Sequence, residues 1–260
     1  MGTKHRTIAV IDLGDASSPS AEASSRRFAA RRLGSHSLVH RIARRLSDAT
    51  QIDHLIISGR RLPAHLLTSG LPGVEILDLP QAHVCERLAT AADRHHADWV
   101  VYVPGNHPFV DPALIDSLVN RAHQSLESPD YVGYCGMGGC WDRVRHLGVA
   151  GELCHSDALR RLRRHVDRLP TDDRPMAMAD WLDNAPGKYE MVLIPLPSLL
   201  DQQDFRFAIE DEGDWECAEM FSDYLGDERT EWQVLADLVR DNSMLRGAMA
   251  DRNRMGQAHV

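Results

Sequence analysis

Short apolar runs alternate with longer segments of helical period over the first half of the chain. The runs at residues 7–12, 54–58, 74–79 and 98–103 have the length of buried strands. The segments at residues 37–46, 61–67, 82–95 and 111–122 are predicted helices, the last one opening with the strong start signal Asp111-Pro112. Repeated strand–helix units of this length predict an α/β fold with a mostly parallel central sheet and helices on both faces.

The second half of the chain is less regular. There we predict strands at residues 131–135, 147–153, 191–194 and 207–209, and helices at residues 156–169, 214–224 and 228–249. Residues 251–260 are predicted to form a frayed tail. The sequence contains no internal repeat and no long linker, so we predict one α/β domain over residues 1–226 and a helical extension with its tail over residues 227–260.

Charge and composition argue against several classes of protein. The 260 residues include 29 Lys and Arg against 38 Asp and Glu, and the formal charge of -9 disfavours a dedicated nucleic-acid binder. No stretch approaches the roughly 20 apolar residues that a membrane helix needs, and the first residues do not form a secretory signal. With five cysteines, an odd number, we expect a reduced, cytoplasmic protein.

Several catalytic and metal-binding signatures are missing from the sequence. It has no nucleophile elbow, no Walker phosphate loop and no zinc-protease helix motif. Cys135 and Cys140, with Cys154 and His155 downstream, do not have the close paired spacing of structural zinc sites. Buried thiols are therefore the better interpretation of these cysteines.

Candidate ligand-binding residues follow two of the predicted strands. Asp12 and Gly14 lie at the end of the first strand, and Gly105 and Asn106 come directly after the fourth. Ligands of open α/β sheets bind beyond the carboxyl ends of the strands, so these residues are candidates for nucleotide binding. Asn106 offers a metal ion one neutral carbonyl oxygen. The alternative is a strand-to-helix turn in which asparagine tolerates unusual dihedral angles.

Five blocks of sequence occur in the order of a known family. They are residues 33–42 (LGSHSLVHRI), 52–58 (IDHLIIS), 97–112 (ADWVVYVPGNHPFVDP), 130–133 (DYVG) and 206–216 (RFAIEDEGDWE). Their order and spacing resemble the cytidylyltransferases that activate acidic and modified sugars, namely the CMP-3-deoxy-manno-octulosonate synthetases and the spore-coat polysaccharide cytidylyltransferases. The resemblance covers about residues 7–225.

The resemblance implies a nucleotide-diphospho-sugar transferase fold, Rossmann-like with three α/β/α layers. It also implies transfer of a nucleotidyl group from CTP to a sugar for polysaccharide biosynthesis, assisted by Mg²⁺, in a protein that is often a homodimer. Carried over by position, Arg27 would clamp phosphates, Asn106 and Glu210 would flank the metal ion, and Glu152 would orient the sugar.

The sequence departs from the family pattern at these positions. The arginine of the family's phosphate loop falls on Ala23, and the first metal-binding acid falls on Asn106. The second acid is Glu210 in place of aspartate, and the sugar-side motif keeps Glu152 but loses another acid. A non-catalytic protein that binds a nucleotide or nucleotide-sugar, or serves as an assembly partner, is therefore the second hypothesis.

Three further features each allow two interpretations. The basic run of Arg26, Arg27, Arg31 and Arg32 suits bidentate phosphate recognition, or is a solvated basic face. Glu210 is a metal ligand, or the acids that follow it complement the dipole at the start of a helix that Asp214 caps. The apolar stripe of the extension packs on a second subunit, as we expect, or on its own domain; it consists of Trp232, Leu235, Leu238 and Val239.

Overall fold

Seven strands form one sheet in the order β5-β4-β1-β6-β8-β7-β9 in the computed structural model. The structure describes residues 5–15, 28–62, 72–80, 83–125, 127–166, 178–185, 187–226 and 231–257. The strands of this sheet are β1 (Thr7–Asp15), β4 (His54–Arg60), β5 (Val74–Asp78), β6 (Trp99–Pro104), β7 (Tyr131–Cys135), β8 (Glu152–His155) and β9 (Met191–Pro195). A separate two-stranded ribbon pairs β2 (Arg32–Leu33) with β3 (His36–Ser37).

The sheet is mostly parallel, as the sequence predicts. The strands β5, β4, β1 and β6 all run in the same direction, and Asp12 lies beside Pro104 where β1 and β6 end. Within the seven-stranded sheet, as far as the structure describes it, β8 alone runs opposite to the other strands. The predicted α/β fold is confirmed.

Helices cover both faces of the sheet because the side chains of each strand alternate between two cores. From β1, Ile11 enters one core and Val10 the other. The helices on the first face are α1 (Leu38–Ser47), α3 (Pro112–Gln124), α7 (Glu212–Leu225), α8 (Trp232–Asp241) and α9 (Ser243–Gln257). Those on the second face are α2 (Val84–His95), α5 (Ser156–Arg163) and α6 (Met178–Asn184). A short helix, α4 (Asp142–Leu147), precedes β8.

Five predictions for the second half need correction. The strand expected at residues 147–153 begins only at Glu152, because residues 142–147 form α4. Residues 207–209 form no strand; their backbone amides bind the carbonyl oxygens of His146 and Asn106 instead. Asp211, and not Asp214, caps α7. The helix expected at residues 228–249 is two helices, and α9 continues to Gln257, where a frayed tail was predicted.

Two predicted elements extend into segments that the structure does not describe. Most of the helix predicted at residues 61–67 falls within residues 63–71. The helix predicted at residues 156–169 ends at Arg163, earlier than expected, and residues 167–169 of that prediction lie outside the described residues.

The C-terminal helices pack on the domain that precedes them. Leu235 and Val239 of α8 and Leu245 and Met249 of α9 are buried in the same core as α7. The backbone N–H of Trp232 donates to Oδ2 of Asp111 (2.9 Å), the residue whose Oδ1 caps α3. The apolar stripe of the extension thus packs on its own domain. This stripe therefore no longer supports the predicted homodimer.

A buried ion pair joins β1 to α2. Arg87 donates from Nε to Oδ1 of Asp12 (2.8 Å) and from Nη2 to Oδ2 (2.6 Å), and the Arg87 side chain is fully buried. Asp12 also accepts hydrogen bonds from the hydroxyl of Ser58 (2.8 Å) and the backbone N–H of Gly14 (3.2 Å). This carboxylate therefore fixes the irregular last part of β1, which contains Gly14, to the end of β4 and to α2.

Replacing Arg87 should reveal how much the protein depends on this pair. We expect Arg87→Met to lower the free energy of unfolding by about 3–5 kcal/mol, because the variant leaves the Asp12 carboxylate buried without its cation. Adding Asp12→Asn should restore part of that loss. Arg94→Met, which breaks the exposed pair between α2 and Glu75, should cost about 1 kcal/mol or less. Urea denaturation measures all three, and equal losses at Arg87 and Arg94 would contradict this view.

Substitutions at Asp111 separate its cap of α3 from its contacts with Trp232 and Arg45. Asp111→Asn keeps a side-chain oxygen for the cap but lacks a second acceptor for the Trp232 amide and the charge that faces Arg45 (3.7 Å), so we expect a loss of about 1–2 kcal/mol in unfolding free energy. Asp111→Ala should lose about 1 kcal/mol more, because it also removes the cap. Asp237→Asn on the exposed face of α8 is the control. If Asp111→Asn is as stable as that control, the contact to Trp232 does not hold the extension.

Candidate active site

The candidate site lies at the carboxyl edge of the sheet, where β1 and β6 end side by side. Gly14 lies near the end of β1 and has a left-handed φ of 73°, which glycine adopts without strain. Gly105 donates its backbone N–H to the carbonyl oxygen of Asp12 (2.9 Å), and a Cβ at position 105 would lie 3.2 Å from that oxygen. Glycine at position 105 thus allows the backbone that follows β6 to contact the backbone of β1 at the edge of the sheet.

Asn106 follows directly and is largely buried, at 8% exposure. Among the described residues, its Oδ1 atom is inaccessible to solvent and accepts no hydrogen bond. Buried side-chain oxygens without a partner are uncommon in folded proteins and need an explanation. A bound cation or a water molecule would supply the missing interaction.

Glu210 approaches from the segment before α7. Its Oε1 accepts a hydrogen bond from Nδ1 of His146 (2.8 Å), and its Oε2 accepts one from Nη2 of Arg206 (2.8 Å). Burial alone would raise the pKa of this carboxyl group, but His146 and Arg206 together lower it to about 2. Glu210 is therefore ionised at neutral pH and held in one orientation.

Backbone contacts bring Asn106 and the residue before Glu210 together. The N–H of Ile209 donates to the backbone oxygen of Asn106 (2.9 Å), and the N–H groups of Phe207 and Ala208 both donate to His146 (3.2 Å each). The strand predicted over these residues was wrong, but their backbone hydrogen bonds join this segment to Asn106 and His146. Residues that are about 100 positions apart in the sequence meet at the carboxyl edge of the sheet.

The oxygens of Asn106 and Glu210 fit a hard divalent cation such as the predicted Mg²⁺. One is a buried carbonyl oxygen with no other partner, and the other group is an ionised carboxylate. Both Glu210 oxygens already accept a hydrogen bond, so the protein supplies few free lone pairs by itself. Because Mg²⁺ in proteins is commonly held by one or two carboxylates plus substrate phosphates, these residues fit an ion that a nucleotide helps to bind.

No complete metal site is formed by the acidic, histidine and cysteine side chains that the structure describes. Within those ranges, no group of three or more of them is placed to hold an ion. Cys135 and Cys154 are buried free thiols, as expected, whereas Cys140 is exposed. Burial raises the pKa of the Cys135 and Cys154 thiols, so they stay protonated.

Glu152 lies in β8 and has structural partners. Its Oε1 accepts the hydroxyl of Tyr131 (2.7 Å), and the backbone N–H groups of Met178 (3.0 Å) and Ala179 (3.3 Å) donate to its carboxylate. Burial raises the pKa of Glu152, although these hydrogen bonds oppose the shift. The carboxylate thus holds the start of α6 and the Tyr131 ring, and is not free to face a sugar directly.

The basic run is only partly within the described residues. Arg26 and Arg27 lie outside them. Arg31 stacks over the ring of Trp215, at 4.1 Å from its centroid, and donates to Glu212 (2.6 Å). Arg32 donates to the backbone oxygen of Ser35. The two described arginines therefore have local partners, which leaves Arg27 as the predicted phosphate clamp.

Several residues that shape the site were not found from the sequence. Arg87 sits in a helix and is identified only by its pairing with Asp12. Arg206 belongs to a block that carries the family resemblance, but its bond to Glu210 depends on a turn that the sequence pattern does not reveal. His107 is fully buried beside Asn106, and burial lowers its pKa to about 4, so it is a neutral contact to the Ala150 oxygen (3.2 Å).

Solved structures of similar fold include several cytidylyltransferases. One is a cytidylyltransferase from Leptospira borgpetersenii serovar Hardjo-bovis (strain JB197), with a TM-score of 0.75 and 16% identity, covering 93% of this chain and 96% of that one. A CMP:2-keto-3-deoxy-manno-octonic acid synthetase complexed with CTP has a TM-score of 0.59 and 10% identity, with 84% and 99% covered. Rv0371c from Mycobacterium tuberculosis H37Rv, in a complex with manganese, gives 0.55 and 11%, with 84% and 100% covered.

At these identities the structural similarity establishes the fold, which is that of the nucleotide-diphospho-sugar transferases. A comparison with curated proteins found no match. The described part of the chain contains no helix that is both long and apolar enough to span a membrane. Residues 24–179, more than half of the chain, match the family described as the MobA-like NTP transferase domain. The chain therefore belongs to the MobA-like NTP transferase domain family.

Proposed function

We propose that this protein is a nucleotidyltransferase that transfers CMP from CTP to a sugar, with a divalent metal ion, for glycan synthesis in the cytoplasm. The observation that carries the proposal is that the Asn106 side-chain oxygen is buried without a partner among the described residues, and that the residue before the ionised Glu210 is hydrogen-bonded to the Asn106 backbone at the carboxyl edge of the sheet. The cytidylyltransferase fold and the neighbour that is complexed with CTP support the choice of nucleotide.

The chemistry is displacement at the α-phosphorus of CTP. A sugar oxygen forms a bond to that phosphorus as the bond to the β-phosphate bridging oxygen breaks, so that pyrophosphate leaves and the sugar hydroxyl gives up its proton. A bound divalent cation neutralises charge on the phosphate oxygens during such a transfer. Asn106 and Glu210 would hold the ion, and the neighbour that is complexed with manganese supports a divalent metal without fixing which one.

The other residues bind and orient. We assign Gly14 and Gly105 to nucleotide binding, and Asp12 holds both, because its carboxylate accepts the N–H of Gly14 and its carbonyl oxygen accepts the N–H of Gly105. We assign to Arg27 the clamping of the triphosphate. Glu152 serves the sugar side indirectly, because it holds Tyr131 and the start of α6 in place.

A second candidate function is supported by the charges at the site. Asn106 is neutral, and Glu210 is already matched by Arg206 and hydrogen-bonded by His146. A protein with these features binds a metal ion weakly and would serve as a non-catalytic nucleotide or nucleotide-sugar binder. Binding of CTP without turnover, with or without Mg²⁺, would favour this second function.

The Asn106→Asp variant tests the metal site. It adds a charged ligand where the wild-type protein has a neutral oxygen, so we expect the half-saturating Mg²⁺ concentration to fall by about tenfold, equivalent to about 1.4 kcal/mol, with faster release of pyrophosphate. Titration calorimetry with CTP and a pyrophosphate-release assay measure the two effects. Asn120→Asp on the exposed face of α3 adds the same charge away from the site. If both variants behave like wild type, Asn106 does not bind the metal ion.

Arg27 tests phosphate binding. If its hydrogen bonds to the triphosphate are charge-assisted, Arg27→Ala should weaken CTP binding by about 1.5–3 kcal/mol. Arg32→Ala is the matched control and should change the affinity little. Titration calorimetry of both variants with CTP is the measurement. Equal losses would show that the whole basic run acts by diffuse electrostatics.

A further inference from the structure

The last helix of the chain contacts the candidate site through one side chain, Arg252. Its Nε donates to Oδ1 of Asp214 (2.8 Å), and its Nη2 donates to Oδ1 of Asp211, the cap of α7. Arg252 is mostly buried, at 19% side-chain exposure, whereas Arg254 on the same helix is 72% exposed. Arg252 therefore fastens α9 to the start of α7, immediately after Glu210.

Gly213 makes room for this contact. A Cβ added at position 213 would lie 2.5 Å from Cζ of Arg252 and closer still to its Nη1. The guanidinium group therefore lies directly on the backbone of α7's first turn. Any side chain at this position would displace Arg252, which gives a second way to disturb the same contact.

Asp214 links Arg252 to Glu210. Its carboxylate is almost fully buried and accepts two hydrogen bonds from Arg206, one from Nε (2.8 Å) and one from Nη2 (2.9 Å). The backbone N–H of Glu210 also donates to Oδ2 of Asp214 (2.9 Å). Asp214 thus holds the backbone of Glu210 directly and its carboxylate through Arg206.

Charge balance explains why Arg252 matters here. Arg206 serves two carboxylates, those of Asp214 and Glu210. Arg252 supplies a second cation to Asp214, and its guanidinium pKa is raised by that carboxylate although burial opposes the shift. Without Arg252, the Asp214 carboxylate would have Arg206 as its remaining arginine partner among the residues that the structure describes and would attract it more strongly. Glu210 would then lose part of the contact that orients it.

We propose that Arg252 is a positioning residue and that helix α9 is a working part of the active site: through Asp214 and Arg206, Arg252 fixes the Glu210 carboxylate for the cation that accompanies the nucleotide. The proposal rests on the proposed function for its ligand, a divalent cation together with CTP. It assigns to the extension a role at the site in place of the subunit interface expected from the sequence.

Two variants of the full-length protein break the contact from opposite sides. Arg252→Gln removes the charge, and Gly213→Ala displaces the guanidinium group while keeping it. We expect each variant to weaken Mn²⁺ binding in the presence of CTP by about threefold, less than the roughly tenfold effect of losing a direct partner of a metal ligand, because Arg252 acts through Asp214 and Arg206. Electron paramagnetic resonance of free Mn²⁺ measures this binding. Binding of CTP without metal should not change, and the loss of activity should be largest at low Mn²⁺ and should diminish as Mn²⁺ approaches saturation.

Matched variants separate positioning from stability. Arg252→Lys keeps a charge that reaches Asp214 and should recover part of the Mn²⁺ affinity. Arg254→Gln, on the exposed side of α9, should behave like wild type. If Arg252→Gln and Gly213→Ala lower only the melting temperature, and Mn²⁺ binding with CTP is unchanged, Arg252 is a structural contact and the proposal is overturned.

A thermodynamic cycle tests the coupling without any ligand. Arg252→Gln, Glu210→Gln and the double variant are compared by urea denaturation, and coupling predicts that their effects on the unfolding equilibrium constant deviate from additivity by at least about twofold. Additive effects would overturn the proposal. If wild type binds no CTP but the cycle is not additive, the proposed function fails, while the link between Arg252 and Glu210 stands.

Discussion

The architecture of the site depends on the buried bond between Asp12 and Arg87. An isolated charge in a protein interior is strongly disfavoured, so the Asp12 carboxylate is stable only because its four contacts are all made. Those contacts come from α2, β4 and the last part of β1. The carbonyl oxygen of the same residue receives the N–H of Gly105. The position of Asn106 relative to the sheet therefore follows from how Asp12 is satisfied.

On the opposite side of the site, a buried carboxylate is likewise stabilised by arginine side chains. There Asp214 is the buried carboxylate, and Arg206 and Arg252 satisfy it. Both sides are thus held by guanidinium groups that bind carboxylates with two nitrogens, a rigid geometry that lysine does not reproduce. The carboxylates of Asp12, Asp214 and Glu210 are consequently matched by cations. Under the proposed function, a metal ion would gain little from the protein alone at such a site and would depend on the phosphates that arrive with the nucleotide.

The sequence predicted the sheet well and the side-chain network poorly, for a physical reason. Buried strands such as residues 7–12 and 98–103 are apolar over their whole length, and this local pattern is sufficient to find them. The role of Glu152 was mispredicted for a different reason. Its position matched the family motif, but its partners, Tyr131 and the start of α6, lie in distant segments of the sequence. The cap of α7 was misassigned for a similar reason, because Asp214 is drawn inward by Arg206 and leaves the cap to Asp211. Charge pairs between distant segments produce no periodic pattern in the sequence, so pattern analysis does not find them.

The family match and the candidate site do not cover the same part of the chain. The MobA-like domain matches residues 24–179, a range that includes Asn106 and Arg87 but ends before Arg206, Glu210 and Asp214. The acidic half of the site, and the helix whose Arg252 fastens it, therefore lie in the part of the chain beyond the matched range. Membership of the family explains the sheet and its carboxyl edge. Under the proposed function, residues 206–214 and α9 would decide how strongly a metal ion binds there, because these segments set the charge and the orientation of Glu210.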